Sequence, residues 1–174
     1  MNYTFRSAVQ DDIAPIWKIL QQAILRRKED GSDQWQDGYP NLTVIQNDLN
    51  AGAAFVLTDG DVVVGYCAVY INDEPEYEKI VGSWLSNEDF VVFHRVAIAQ
   101  NHLGKGLAKK IVESIEAYAQ RNNIFSVKAD TNHDNVAMLK TFEKMGYTYC
   151  GKVFFRGSER RAFEKVLPNK NVSA

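Results

Sequence analysis

The side chains best placed to do chemistry lie between Glu88 and Ala108. His94 sits inside an apolar run, Phe90 to Ile98, dense in Val, Phe and Ile, which reads as a buried strand. An imidazole with a reference pKa of about 6.5 accepts a proton near neutral pH, directly or through water. Strand alternation puts His94 with Val96 and Ile98 on one face and Arg95 on the other. His94 is thus a general base or a core histidine bonded to a neighbour. Glu88 and Asp89, at the strand entrance, are alternative bases or an ordinary solvated strand end. Beyond the strand come a polar turn, Gln100-Asn101-His102, and Leu103-Gly104-Lys105-Gly106-Leu107-Ala108. From Leu107 the apolar residues fall at 107, 108, 111, 112, 115, 118 and 119, one face of a helix. Strand, glycine turn and helix N-terminus make a phosphate-binding arrangement: glycine lets the backbone approach, and the first N–H groups and the helix dipole favour an anion. The loop is no Walker A motif, because no Ser or Thr follows Lys105. A Rossmann fingerprint would need three glycines in a repeating βαβ pattern.

The remaining elements must position that stretch. Tyr3 to Val9 reads as a strand, followed by a helix capped by Asp11 or Asp12 with Pro15 in its first turn. Its apolar positions 13, 16, 17, 20, 23 and 24 keep helical spacing, and it fades at Arg26-Arg27-Lys28. A loop, Glu29 to Asn41, leads to a short helix, Leu42 to Asn50. Ala53 to Thr58 and Val62 to Tyr70 are strands around the hairpin signal Asp59-Gly60. Ile71 to Asp89 reads as a polar-aromatic connection. After the central strand and helix come a strand, Ile124 to Ala129, and a helix, Asn135 to Met145, ended by Gly146. Tyr147 to Phe155 and Arg161 to Val166 form a hairpin around Arg156-Gly157-Ser158-Glu159.

Composition narrows the function. The chain has 174 residues, 45% hydrophobic and 24% charged, with a net charge of −2. That supports one full core and no basic face for nucleic acid or anionic membrane. Cys67 and Cys150 suit neither a disulfide framework nor a metal motif. No apolar signal region or 18-residue apolar span occurs, so a cytoplasmic location is expected.

The loop resembles the acetyl-coenzyme A loop of the GNAT (Gcn5-related) N-acetyltransferases, whose signature is Gln/Arg-x-x-Gly-x-Gly/Ala. Gly106 and Ala108 match, and Leu103 stands in place of Gln/Arg. A second segment, Asn135 to Tyr147, resembles the family's Asn-x-x-Ala-x-x-x-Tyr-Glu-Lys-x-Gly-Phe, with Met138, Phe142 and Tyr147 as departures. The element order β-α-α-β-β-β-α-β-α-β-β is also the family's, so the resemblance covers nearly the whole chain. It implies an α/β fold with a mostly antiparallel sheet flanked by helices and a parallel pair at the coenzyme site. One domain over residues 1–167 and a tail at 168–174 are expected.

The resemblance further implies acetyl-CoA as co-substrate, no metal, and direct transfer of the acetyl group, which leaves no nucleophile role for Cys67 or Cys150. Main-chain groups of Val96, Ala97 and Ile98 would hold the pantetheine as an added pseudo-strand. Leu103, Gly104, Lys105, Gly106, Leu107 and Ala108 would take the pyrophosphate. Asn135 would reach the pantetheine arm, unless it is only a helix cap. His94 falls where the family's arylalkylamine acetyltransferases carry a strand histidine that removes a proton. Phe142 stands where the family has its acid tyrosine, so either Tyr147 or Tyr149 serves or the thiolate leaves unassisted. Trp35, Tyr39, Glu74, Glu76, Tyr77 and Trp84 are the acceptor candidates, since aromatics with carboxylates suit a cationic amine; alternatively the aromatics pin long loops. The expected activity is acetylation of a small-molecule primary amine. A protein or peptide amine, or a non-catalytic acyl-CoA-binding module, are the rival readings, and a homodimer is expected by analogy.

Overall fold

The computed structural model describes residues 2–169; residues 170–174 of the expected tail lie outside them. Among the described residues four helices and eight strands run in the order β1 (Tyr3–Ser7), α1 (Ile13–Glu29), α2 (Leu42–Asn50), β2 (Ala54–Asp59), β3 (Val62–Ile71), β4 (Val81–Gly82), β5 (Val91–Ile98), α3 (Leu107–Arg121), β6 (Ser126–Thr131), α4 (Val136–Lys144), β7 (Thr148–Phe155) and β8 (Ser158–Val166). Among the described residues no helix is long and apolar enough to cross a membrane. The chain divides into two compact units, Met1–Val69 with Arg95–Ile111, and Tyr70–His94 with Val112–Ala174.

In the first unit β1, β2 and β3 are antiparallel neighbours, with Phe5 opposite Leu57 and Val56 opposite Tyr66. The end of β5 joins β3 through Ala99 N–H to Val64 O, at 2.8 Å. The helical spacing of α1 buries Ile16, Ile19, Leu20 and Ala23, which pack with Ile45 of α2 against Ala54, Val56, Tyr66, Ala97 and Ala99. Helix α1 continues through Arg26-Arg27-Lys28 rather than fading there. Cations in a last turn are favourable, and Arg26 also donates to Ile98 O and Gln100 Oε1.

In the second unit β5 runs parallel to β6, with Val92 beside Lys128 and Phe93 beside Ala129. Strands β6, β8, β7 and β4 then follow as antiparallel neighbours. Strand β6 starts at Ser126, two residues late, because Ile124 N–H still bonds Ala119 O at the end of α3. Strand β8 starts at Ser158, since Arg156 and Gly157, with φ of 48° and 74°, turn the hairpin in two residues. The connection between β3 and β5 contains a 3-10 turn, Pro75–Lys79, and the short strand β4. Tyr77, from that turn, is buried in a core with Val92, Val153 and Ala162.

Strand β4 depends on two glycines that face each other across the ladder. Gly82 and Gly151 have φ of 143° and 140°, and a Cβ on Gly151 would stand 2.2 Å from Val81 O. Gly151→Ala is expected to lose roughly 1–3 kcal/mol or more, because backbone must shift to admit the methyl group. Urea unfolding checks this; an unchanged midpoint would show that β4 contributes nothing to stability.

Candidate active site

His94 is the last residue of β5 in the second unit, with its side chain 16% exposed. Its Nε2 lies 2.9 Å from Glu74 Oε2. A carboxylate only accepts, so Nε2 carries hydrogen, and in the neutral imidazole Nδ1 then holds the lone pair. Asp130 Oδ1 is 3.9 Å from Nδ1, beyond hydrogen-bonding range. The same Asp130 oxygen accepts from the Tyr77 hydroxyl at 2.5 Å. Burial holds the Asp130 carboxyl above the usual carboxylate range, although His94, Tyr77 and Arg160 pull it down. Burial and Asp130 push the Tyr77 phenol far above its ordinary value. Rings of Tyr70, Tyr77 and Phe155 surround the imidazole at 6.4–6.5 Å between centroids.

Arg95 has φ of 58° within the strand. That left-handed residue interrupts the pleat, so the alternation that would place His94 with Val96 and Ile98 does not run through it. The Arg95 guanidinium grips Asp48, Nη2 to Oδ1 at 2.6 Å and Nε to Oδ2 at 3.1 Å. It also donates to the Tyr39 hydroxyl, and the Tyr66 hydroxyl donates to Asp48 Oδ2. Burial works against the guanidinium charge, but Tyr39, Asp48 and Tyr66 outweigh it and hold its pKa above the usual value. Tyr39 is thus a partner of Arg95, and Trp35 packs on the core of α1, α2 and β2.

In the glycine loop Gly104 and Gly106 have φ of 76° and 73°, with nothing within 4 Å of a would-be Cβ. The first intrahelical bond, Lys110 N–H to Gly106 O, leaves the N–H groups of Gly106, Leu107 and Ala108 ahead of the helix ladder. This cradle fits a pyrophosphate. Leu103 is exposed, and Val96 is half-buried while Ala97 and Ile98 are buried. In the second unit Asn135 caps α4, its side-chain oxygen accepting from Met138 N–H at 3.3 Å. Phe142 is 1% exposed and stacks on Phe163 with centroids 4.6 Å apart. The Tyr147 hydroxyl donates to Glu116 Oε2, and the Tyr149 ring lies against Phe163. Both cysteines are buried, and burial pushes their thiols up.

A cleft of about 700 Å³ opens beside the β3–β5 connection, within the usual range for small ligands. Asp73, Glu74, Glu78 and Glu88 line it with Tyr77, Trp84, Phe90 and Lys128. The Tyr77 and Trp84 rings are tilted by 40° with centroids 4.9 Å apart, and Trp84 Nε1 donates to Tyr77 O at 2.9 Å. Glu164 anchors the next residues, accepting from Leu85 N–H and the Ser86 and Ser126 hydroxyls at 2.7–2.8 Å. Glu88 is exposed on the lining. Burial pulls the Lys128 ammonium below its ordinary pKa, with Glu164 acting in the opposite sense.

The model of the acetyltransferase (GNAT) family matches residues 17–147. The chain belongs to the GNAT family. It is similar to a GNAT-family acetyltransferase of Streptococcus agalactiae, 33% identical, with 96% of each chain covered and a TM-score of 0.88. The L-methionine sulfoximine/L-methionine sulfone acetyltransferase of Salmonella typhimurium is 25% identical, over 86% of this chain and 82% of its own. The fold also matches yncA of Salmonella typhimurium, solved with its cofactor acetyl-CoA: 20% identity, TM-score 0.65, 98% and 96% of the two chains covered. This GNAT chain is therefore an acetyltransferase.

In this GNAT chain the sequence reading missed Asp130, Lys128 and Asp48, and did not pair Glu74 with His94. Signals existed for three of them. Lys128 and Asp130 alternate with Val127 and Ala129, which marks a charged strand face, and Asp48 shares helical spacing with Ile45. Nothing local in the sequence connects Glu74 to His94.

Proposed function

We propose that this protein moves the acetyl group of acetyl-CoA directly onto the primary amine of a small molecule, with His94 as the proton acceptor. The observation that carries this reading is the His94–Glu74 contact at 2.9 Å, with Glu74 on the wall of the acidic-aromatic cleft. The cleft binds the ammonium form through its carboxylates and ring faces. Glu74 fixes the imidazole tautomer, and His94 Nδ1 takes the proton from the amine directly or through water. The neutral amine then attacks the thioester carbon; as the tetrahedral intermediate collapses, the C–S bond breaks and the extra proton on nitrogen passes through water to the departing thiolate. Main-chain groups of Val96, Ala97 and Ile98 hold the pantetheine and polarise the thioester carbonyl. Residues 103–108 hold the pyrophosphate, and Asn135 and Phe142 border the pantetheine arm. The thiolate leaves without a side-chain acid, which a thiol of pKa about 8.5 permits. Glu88 is the second candidate base.

The Salmonella relative named for two small molecules supports a small acceptor. The test is release of free CoA from acetyl-CoA across a panel of small amines and peptides. Turnover of a small-amine class is expected. Activity confined to peptides would replace the small-molecule acceptor by a protein one, and tight acetyl-CoA binding without turnover would leave a binding module.

A further inference from the structure

Lys128 lines the acceptor cleft yet is only 4% exposed. Its Nζ lies 4.5 Å from the Trp84 ring centroid and 4.2 Å from that of Phe90. Among the described residues no carboxylate stands within ion-pair distance of it. Glu164, its cross-strand neighbour on β8, has both oxygens engaged by Leu85, Ser86 and Ser126. An ammonium on the cleft wall, flanked by two aromatic faces and with no carboxylate at ion-pair distance, is placed to take an anion from the cleft. On β6 it shares a face with Asp130, the neighbour of His94, about 6–7 Å along the strand. The cleft thus presents carboxylates, among them Glu74 beside His94, and one cation set apart from them.

We propose that Lys128 Nζ receives an acid group of the acceptor, so that the acceptor is a zwitterion: a primary amine bearing a carboxylate a few atoms away, with its amine turned toward Glu74 and His94. A plain monoamine or a polyamine would leave Lys128 without an acceptor and set cation against cation. The inference rests on the reading of this cleft as the acceptor site.

Matched probes test it: L-methionine, L-phenylalanine, L-glutamate and L-lysine, each beside its carboxamide and its decarboxylated amine. CoA release gives kcat/KM, and calorimetry gives binding to the CoA-loaded protein. In the wild type the acid-bearing member of at least one set is expected to exceed both partners tenfold or more in each measure. Lys128→Met should bring that ratio close to one, and Lys128→Arg should retain part of it, with melting curves confirming that both fold. Equal or better handling of the neutral partners by the wild type overturns the proposal without recourse to any variant. So does a ratio that survives in folded Lys128→Met, or failure of every acid-bearing probe to bind at millimolar concentration. Lys128-dependent binding of acids without CoA release would uphold the proposal while removing the acetyl-transfer reading. Efficient acetylation of the neutral amines would do the reverse.

Discussion

His94→Ala is expected to lower kcat roughly 10²–10⁴-fold, the usual contribution of a positioned general base. That corresponds to about 3–5 kcal/mol of transition-state stabilisation. The dissociation constant for acetyl-CoA should not move, because His94 contacts Glu74 and lies near Asp130 rather than in the glycine loop. Glu74→Gln should lower kcat by a smaller factor. A glutamine oxygen still accepts from Nε2–H, but the amide can rotate and offer a donor instead, which would favour the wrong tautomer. Thiol release measured over a range of pH, with acetyl-CoA affinity followed separately, distinguishes chemistry from binding. Turnover of His94→Ala within a few-fold of wild type would remove the histidine as base and move the role to Glu88, Asp89 or bound water. Loss of acetyl-CoA binding in the same variant would make His94 a structural residue.

Asp48→Ala should be the most damaging single change to stability. It would leave the Arg95 guanidinium, whose side chain is 8% exposed, without its anionic partner, and would also strip the Tyr66 hydroxyl of its acceptor. Removing one member of a buried pair costs about 3–5 kcal/mol, and a domain of this size loses roughly 2–4 °C of Tm per kcal/mol. A fall of roughly 6–20 °C is therefore expected. The double variant Asp48→Leu with Arg95→Met should recover much of the loss, because no buried charge remains unpaired. The effect reaches chemistry through the backbone, since Arg95 holds its left-handed conformation next to His94. A single variant that melts within about 2 °C of wild type would show that the pair is stabilised by solvent instead.

Local physics explains why some of this was readable from the residues. The helix-forming spacing of α1 and α3 and the glycines at 104 and 106 act within a turn or two of chain, where sequence order and spatial order coincide. The connection from Ile71 to Asp89 was less legible. It is rich in polar residues, yet Tyr77 is core and Gly82 lies within a strand, because both are held by residues of β7 and β8 far along the chain. Strand alternation failed at Arg95 for a similar reason. The period-2 rule assumes extended backbone, and partners 47 and 56 residues away hold this one out of it.

The sequence alone determined that this chain carries a glycine loop leading into an amphipathic helix, a mixed set of strands and helices in the GNAT order, and a histidine on the strand before the loop. The tertiary structure decided whether that histidine has a partner, where Arg95 points, and which acids and rings share a cleft with Lys128. Periodicity and turn chemistry are local and leave a mark in adjacent residues. The pairing of charges depends on which distant elements packing brings together, and no spacing along the chain records it.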